Sequence, residues 1–309
     1  MYQIPSSIKL GIWTLLLLLL IFGVASLFNK ILDTSNTFSF EFGNKALKQI
    51  INKNLAGVEG EYAVVIEDLT DRESYALRSF EVFPAASLYK LYLLAAVLKS
   101  VDEGSLKLDD EISSSKEYLT QKLGSVDFGY EDREEKIVYT VDEALTRVGR
   151  VSDNFASIML AEKIGWQEVQ KISNDLGSKN TQISSSTYQM GNSSETLIST
   201  TASDTANFFK KLYTNEVVSA PVSEKVKKYL SLNQIADRIP AGVPQGVEII
   251  HKTGELSRIR HDAGIVYLEG KPYVIVLLSK NLQDENKGVE VMVNISQAVY
   301  EYFREKVEK

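Results

Sequence analysis

Apolar residues follow two different spacings along the chain, and each spacing occupies its own part of it. Runs rich in Val and Ile, typical of buried strands, occur near both ends, whereas apolar residues three and four apart, typical of helices, fill the middle. Strands are predicted over 62–69, 74–79, 247–252, 261–268 and 273–279, the last two joined by a hairpin turn at 269–272. Helices are predicted over 45–54, 87–101, 154–164, 166–176, 201–212, 223–232 and 289–307, with another beginning at the capping box Thr140-Val141-Asp142-Glu143.

This order of elements indicates an α+β fold, because strands from both ends can assemble into one sheet while the helices between them form an inserted lobe. We expect a sheet lobe built from 41–80 and 225–309 and a helical lobe built from 81–224. Two polar stretches interrupt the periodicity, a charged and loop-rich region over 102–137 and a long loop over 178–199. Both are interpreted as solvated connections.

A run of 19 uncharged residues at 10–28 is long enough to cross a bilayer and is predicted to be a transmembrane anchor. The amino terminus and the single lysine of residues 1–9 precede the run, which favours a cytoplasmic N-terminus. A cleaved secretory signal, processed near Gly23-Val24-Ala25, is the alternative. In both cases the linker at 29–40 and the domain at 41–309 are exported, so we expect the protein at the cell membrane or secreted.

The net charge and the missing residue types exclude several kinds of partner and site. A net charge of −7 over 309 residues leaves no basic surface, which argues against a nucleic-acid partner. The chain has no cysteine, so disulfides and thiol chemistry are excluded. Its two histidines, His251 and His261, make a poor ligand set, and we expect no metal and no other cofactor. The GxSxG elbow of many Ser-His-Asp hydrolases is also absent.

Ser87 and Lys90 are the strongest candidates for catalysis. Residues three apart on a helix are neighbours, so the hydroxyl and the amine can touch. The helix that follows is apolar nearly all round, which predicts a buried lysine whose pKa is low enough for a general base. The same SxxK spacing at Ser6-Ser7-Ile8-Lys9 and Ser113-Ser114-Ser115-Lys116 lacks this apolar context. The alternative is a surface lysine at the edge of a core helix.

Two further short motifs follow Ser87 along the chain. Ser152-Asp153-Asn154 lies at a predicted helix start, where Ser, Asp and Asn also serve as ordinary N-caps. Lys252-Thr253-Gly254 lies at the end of a predicted strand, where a simple turn explains it as well. Each motif is weak alone, but the three in this order and context would rarely arise by accident.

With these motifs the chain resembles the penicillin-recognising serine hydrolases, most closely the class A β-lactamase family, whose signature is S-x-x-K, S-D-N and K-T-G. The resemblance covers roughly residues 41–309. It implies a β-lactamase/transpeptidase-like fold, an antiparallel sheet flanked by helices with an inserted all-helical lobe.

The resemblance implies a catalytic role for four of the motif residues. Ser87 would attack the substrate carbonyl and become acylated, while Lys90 would remove its proton directly or through a water. Lys252 would lower the pKa of Lys90 and attract an anionic substrate. Ser152 would pass a proton to the leaving nitrogen.

Substrate binding, by the same resemblance, would use neighbouring residues. Asn154 would bond the side-chain amide of the substrate, and Thr253, followed by Gly254, would help the preceding lysine to hold its carboxylate. The backbone N–H groups of Ser87 and Glu255 would bind the oxyanion. The acidic side chain of Glu255 is unusual beside a carboxylate site.

Arg258 and Arg260 are interpreted either as surface charges or as a clamp for the substrate carboxylate. The glutamate that deacylates class A enzymes, in an E-x-x-L-N motif, is expected near 184–188, which holds no carboxylate. Glu195 is the glutamate of this loop, and it is either a displaced catalytic base or a solvated acid. Acylation is therefore expected, and the rate of deacylation is the open question.

Two classes of function follow from these expectations. As an enzyme, the protein would be a serine hydrolase of β-lactamase type acting on β-lactams, or a D-alanyl-D-alanine peptidase acting on peptidoglycan stem peptides. As a receptor, it would be a sensor that β-lactams acylate and that keeps the acyl group. Residues 1–9 are too short for a signalling domain, which favours the enzyme.

Overall fold

A computed structural model of the chain describes residues 41–123, 135–183 and 198–308. The predicted anchor at 10–28, positions 184–188 and Glu195 lie outside the described residues. Within the described ranges, no helix combines the length and the apolar character that a membrane crossing requires.

The described residues form strands near both ends and helices between them. The strands are β1 (Glu41–Gly43), β2 (Glu61–Asp68), β3 (Ser74–Leu77), β4 (Phe83–Pro84), β5 (Glu111–Ser115), β6 (Lys136–Thr140), β7 (Ser199–Thr200), β8 (Ile249–Leu256), β9 (Ile259–Val266) and β10 (Tyr273–Lys280). The α-helices are α1 (Lys45–Leu55), α2 (Lys90–Asp102), α3 (Lys116–Lys122), α4 (Val141–Val151), α5 (Asn154–Ile164), α6 (Trp166–Asp175), α7 (Ala202–Tyr213), α8 (Ala220–Leu230) and α9 (Glu285–Val307). A 3-10 helix at Ala86–Tyr89 leads directly into α2, and another at Pro240–Gly242 precedes β8.

Six of the strands form one antiparallel sheet in the order β1-β3-β2-β10-β9-β8. The first three strands of the domain and the last three meet where β2 pairs with β10. Residues of β10 are buried along almost its whole length, because helices cover both faces of the sheet. The strand β8 lies at the edge of the sheet, beside the 3-10 helix that precedes α2.

Two apolar cores lie on opposite faces of the sheet. The smaller core packs α1 and α9 against the strands through Leu47, Ile51, Ile295 and Phe303. The larger core surrounds α2, in which every residue from position 90 to 98 is buried, and it joins side chains from α3 through α8. The predicted apolar helix is therefore the centre of the helical layer. The expected fold class, an antiparallel sheet flanked by helices, is confirmed.

The prediction of a loop over 102–137 is wrong in part. Strands β5 and β6 pair antiparallel, with Ile112 opposite Tyr139, and α3 follows with Ser115 as its N-cap. Ile112 is the single buried residue of β5. A strand with one buried side chain carries too sparse an apolar pattern to be recognised before its partner is known.

Two predicted helices begin earlier than expected, because a polar cap sets a helix start where the apolar pattern has not yet begun. Helix α8 begins at Ala220, where the Ser219 side chain accepts a hydrogen bond from the N–H of Val222. Helix α9 begins at Glu285, after Asp284 caps two backbone N–H groups. The predicted starts at 223 and 289 therefore lie about one turn after the observed starts of α8 and α9.

Gly149 allows α4 to lie directly against α8. A β-carbon at this position would come well under 3.0 Å from the backbone carbonyl of Tyr229, which cannot move aside as a side chain can. We expect Gly149→Ala to lower the free energy of unfolding by about 2 kcal/mol, since overpacking this contact outweighs the helix propensity of alanine. Urea unfolding followed by circular dichroism measures the change.

Gly288→Ala in α9 is the matched control, because the three atoms nearest to its added carbon belong to the Leu282 side chain and not to backbone, the nearest at 2.7 Å. We expect the free energy of unfolding of this variant to stay within about 1 kcal/mol of the wild type. Equal losses in the two variants would contradict the packing explanation.

Candidate active site

Ser87 lies in the 3-10 helix at Ala86–Tyr89 and is partly exposed, whereas Lys90 begins α2 and is fully buried. Ala86 adopts a left-handed conformation with φ of 46°, which a non-glycine residue rarely holds unless its surroundings enforce it. The Leu88 N–H donates to the Ala85 carbonyl and closes this tight turn. The turn therefore keeps the serine near solvent while the lysine three residues later enters the core.

The Lys90 amine is held by the Ser152-Asp153-Asn154 segment. Its Nζ lies 2.6 Å from the Ser152 carbonyl oxygen, 3.2 Å from Ser152 Oγ and 2.7 Å from Asn154 Oδ1. In the described part of the chain its hydrogen bonds go to these three atoms and none goes to the Ser87 hydroxyl. Proton transfer from Ser87 to Lys90 therefore stays a prediction.

Ser152 and Asn154 lie at the reversal between two helices, Ser152 just after α4 and Asn154 at the start of α5. Helix α4 ends at Ser152, whose φ of 57° is left-handed, and α5 begins after Asp153, which accepts a hydrogen bond from the Ala156 N–H at 2.9 Å. Asp153 therefore serves as the ordinary N-cap. The reversal turns the two flanking side chains toward the same amine.

Lys252 approaches the same serine from β8. Its Nζ lies 2.8 Å from Ser152 Oγ and 2.8 Å from the Thr253 carbonyl oxygen. The Ser152 hydroxyl oxygen thus accepts from two buried amines, and either amine can exchange a proton with it. This is the arrangement required to relay a proton.

Gly254 lets the edge strand approach the serine turn. A β-carbon at Gly254 would lie 3.2 Å from the Ala86 β-carbon and 3.3 Å from the Ala85 carbonyl oxygen, so there is little room for a larger residue. The close approach brings the Lys252-Thr253-Gly254 segment beside Ser87. The three sequence motifs therefore meet at one place.

Burial governs the charge of both amines. It lowers the pKa of Lys90 well below its usual range, and the neighbouring Lys252 lowers it further, while Asp153 opposes the shift. Burial also lowers the pKa of Lys252 to about 7, because the opposing effects of Asp262 and Glu255 are insufficient. Burial therefore favours the neutral form of both amines, which is the form a general base requires.

Arg258 and Arg260 are engaged elsewhere. Arg258 donates to the carbonyl oxygens of Asn281 and Leu282, at 3.3 and 3.0 Å. Arg260 donates to the Leu256 and Ile259 carbonyl oxygens and pairs with Glu285. Their bonds hold the turn between β8 and β9 against the start of α9. None of these bonds reaches the two lysines or Ser152, so the interpretation as a substrate clamp gains no support from their contacts.

Arg238 is the arginine that sequence analysis missed. It lies in the loop before β8, its side chain is 1% exposed, and its Nη2 donates to the carboxylate of Glu255. Nothing in the surrounding sequence marks this arginine as buried, because its loop has no periodicity. Glu255 itself was predicted to use only its backbone N–H.

His261 ties the sheet to the segment before the nucleophile. Its Nε2 lies 2.7 Å from the Pro84 carbonyl oxygen, and its Nδ1 lies 3.1 Å from the Ser279 backbone nitrogen. Burial lowers the pKa of His261 to about 4, so the ring is neutral at physiological pH and Nδ1 can accept the Ser279 N–H. In the described part of the chain, no three His, Asp or Glu side chains gather as a metal site.

Comparison with known proteins agrees with this geometry. A family model described as "Beta-lactamase enzyme family" matches residues 45–303. The extended-spectrum β-lactamase PER-1 of Pseudomonas aeruginosa is 22% identical over 285 residues, which is 88% of this chain and 92% of that protein. The D-alanyl-D-alanine carboxypeptidase DacF of Bacillus subtilis (strain 168) is 33% identical over 129 residues, 40% of this chain and 32% of that protein.

Two solved structures show how closely the fold is shared. The structure of PBP-A gives a TM-score of 0.73 at 25% identity and covers 84% of this chain and 97% of that one. The TLA-1 extended-spectrum β-lactamase gives a TM-score of 0.73 at 22% identity and covers 85% of this chain and 99% of that one.

The low pKa of Lys252 makes stability depend on pH. The pKa of Lys252 is about 7 in the folded protein and 10.5 for an ordinary lysine. Between these two pH values the unfolded chain binds more protons than the folded one. The contribution of Lys252 to the free energy of unfolding therefore rises with pH. We expect Lys252→Met to reduce the gain in the free energy of unfolding between pH 7 and pH 9 by more than about 1 kcal/mol. Urea unfolding at the two pH values measures it.

Lys287→Met removes a lysine whose side chain is 53% exposed and is the control for loss of charge alone. Its gain in unfolding free energy between the two pH values should equal that of the wild type. A Lys252→Met variant that keeps the wild-type gain would show that the amine is not buried as described.

Proposed function

The chain belongs to the β-lactamase enzyme family of serine hydrolases, and on this premise we propose that it opens β-lactams through an acyl-enzyme on Ser87. The observation that carries the proposal is the Ser152 hydroxyl, which lies between the buried amines of Lys90 and Lys252 beside the Ser87 turn. Such a hydroxyl can take a proton from Lys90 and pass a proton to the leaving nitrogen of the scissile amide.

In the acylation step, the Ser87 oxygen attacks the lactam carbonyl and its proton passes to neutral Lys90, directly or through a water. The C–N bond then breaks, and the leaving nitrogen takes a proton from the Ser152 hydroxyl. Ser152 regains its proton from Lys90, which returns to the neutral form. The low pKa of Lys90 supports this cycle, because a lysine charged at neutral pH could not accept the first proton.

The backbone N–H groups of Ser87 and Glu255 are the proposed oxyanion donors, since β8 lies against the 3-10 helix that carries the serine. The side-chain oxygen of Asn154 accepts from Lys90, and its amide nitrogen, which has no hydrogen-bond partner among the described residues, is the proposed donor to a substrate carbonyl. Thr253 and Lys252 are the proposed partners of the substrate carboxylate.

A D-alanyl-D-alanine peptidase is the second candidate. The local likeness to DacF, named as a D-alanyl-D-alanine carboxypeptidase, supports it, although it spans only 32% of that protein. A peptide ending in D-alanine presents a carbonyl and a carboxylate much as a β-lactam does. The two activities share acylation of Ser87 and differ in which acyl group is released quickly.

We also propose that residues 10–28 anchor the enzyme in the membrane with its catalytic domain outside the cytoplasm. The 19 uncharged residues and the positive charges before them support this placement. An anchored protein should sediment with membranes after an alkaline carbonate wash and be digested by protease added to spheroplasts. Recovery in the medium at a mass shortened by the leader would replace the anchor with a cleaved signal.

The nucleophile can be identified by mass spectrometry. We expect the wild-type protein to gain the mass of a penicillin on the peptide that carries Ser87, and Ser87→Ala to gain none, because the attacking oxygen is gone. Ser113→Ala is the matched control, since Ser113 and Lys116 repeat the SxxK spacing on the exposed β5–α3 segment. Labelling that survives in Ser87→Ala would remove the proposed mechanism.

Turnover of a chromogenic cephalosporin then separates the alternatives. Sustained hydrolysis supports the β-lactamase, whereas a single burst supports the peptidase or a sensor.

If Glu195 deacylates, we expect Glu195→Gln to lengthen the lifetime of the adduct by about 10²-fold or more, because a general base contributes on that scale. An unchanged lifetime would exclude Glu195 from the mechanism.

A further inference from the structure

Glu255 occupies a place where the proposed substrate offers a negative charge. It directly follows Lys252-Thr253-Gly254 on the edge strand β8, and its side chain is 48% exposed. Alternate residues of a strand point to the same face, so the side chain of Glu255 lies on the same face as that of Thr253. Both therefore flank the position proposed above for the substrate carboxylate.

The Arg238 guanidinium pairs with Glu255 through one of its nitrogens only. Arg238 gives Nη2 to Glu255, while its Nε and Nη1 are buried and have no hydrogen-bond partner among the described residues. The Asp237 carboxylate lies 3.5 Å from Nη1 without forming a hydrogen bond. Buried donors left unpaired are costly, so the bond to the Glu255 carboxylate is important for keeping this guanidinium in place.

The loop that carries Arg238 is held in place. The adjacent Ile239 N–H donates to Asp262 Oδ2 at 2.9 Å, and the Ile239 carbonyl oxygen accepts from Ser296 Oγ at 2.8 Å. Asp262 is itself buried and lies 2.8 Å from His251 Nδ1. Arg238 is therefore fixed, and the half-exposed Glu255 is the partner that can move.

Both charges act on the chemistry of the site. Arg238 lowers and Glu255 raises the pKa of Lys252, so both lie within electrostatic reach of its amine. Burial alone would raise the pKa of Glu255, but the hydrogen bond and charge of Arg238 outweigh it and lower that pKa. Glu255 is therefore an anion at neutral pH, and an anion placed opposite a substrate carboxylate repels it.

We propose that Glu255 is an internal competitor for the substrate carboxylate, because it occupies the Arg238 guanidinium and faces the same position. The site then favours acyl donors whose carboxylate beside the scissile amide is amidated or esterified over the same donors with that carboxylate free. This inference rests on the proposed acyl-enzyme mechanism at Ser87.

A pair of substrates that differ in one charge tests the proposal. The pair is a chromogenic cephalosporin with its carboxylate free and the same compound as its methyl ester. We expect the wild-type enzyme to show the larger kcat/KM with the ester. We expect Glu255→Gln to reduce the ester-to-acid ratio of kcat/KM about tenfold, as the loss of one close like charge predicts.

Glu248→Gln is the matched control, because it removes one carboxylate just before the opposite end of β8. Its ester-to-acid ratio should equal that of the wild type, since long-range charge is screened by salt. Comparing ratios cancels any effect of either variant on the shared chemical steps.

The outcomes distinguish the inference from the mechanism beneath it. If neither compound labels Ser87 in the wild type, the proposed function fails. If both compounds label it but Glu255→Gln leaves the ratio within twofold of the wild type, the competitor role fails alone. Should Glu255→Gln not fold by circular dichroism, the wild-type ratio decides, and a preference for the free acid overturns the inference.

Discussion

The burial of two lysine amines around one hydroxyl is the constraint on which the site depends. An ammonium ion taken out of water loses solvation that a few hydrogen bonds do not restore, so burial favours the neutral amine. Lys90 and Lys252 both reach Ser152 Oγ, and the charge of Lys252 further disfavours that of Lys90. The cost of burying the charge thereby keeps these amines in the form that can accept a proton.

Three separate parts of the chain must be rigid for this contact to persist. Helix α2 is enclosed by the larger core, which keeps water from Lys90. The left-handed residue Ser152 ends α4 and turns its side chain inward, and the pairing of β8 with β9 holds Lys252 opposite. Because core packing holds α2 and strand pairing holds β8, the site is preorganised before substrate arrives. Two of the eight described non-glycine residues with positive φ, Ala86 and Ser152, lie where the chemistry is proposed.

Much of this could be predicted from local pattern. The apolar residues around Lys90 indicated its burial, and the capping box at Thr140 marked the start of α4, which the structure confirms. The region over 102–137 could not be predicted in the same way, since β5 gains its structure from pairing with β6 and not from its own apolar residues. Which arginine contacts Glu255 could not be predicted locally either. Arg258 and Arg260 follow the Lys-Thr-Gly motif in sequence, yet the contact comes from Arg238 in the loop before β8.

Spacing was sufficient to predict the fold class and to locate the three motifs, because both depend on neighbours a few positions apart. The meeting of Ser152 with both lysines, the pairing of Arg238 with Glu255 and the bond between His261 and Pro84 were not accessible in that way. Each of these contacts joins residues at least 17 positions apart along the chain. Their distances are set by how the edge strand packs against the helical layer, and no local pattern encodes that distance.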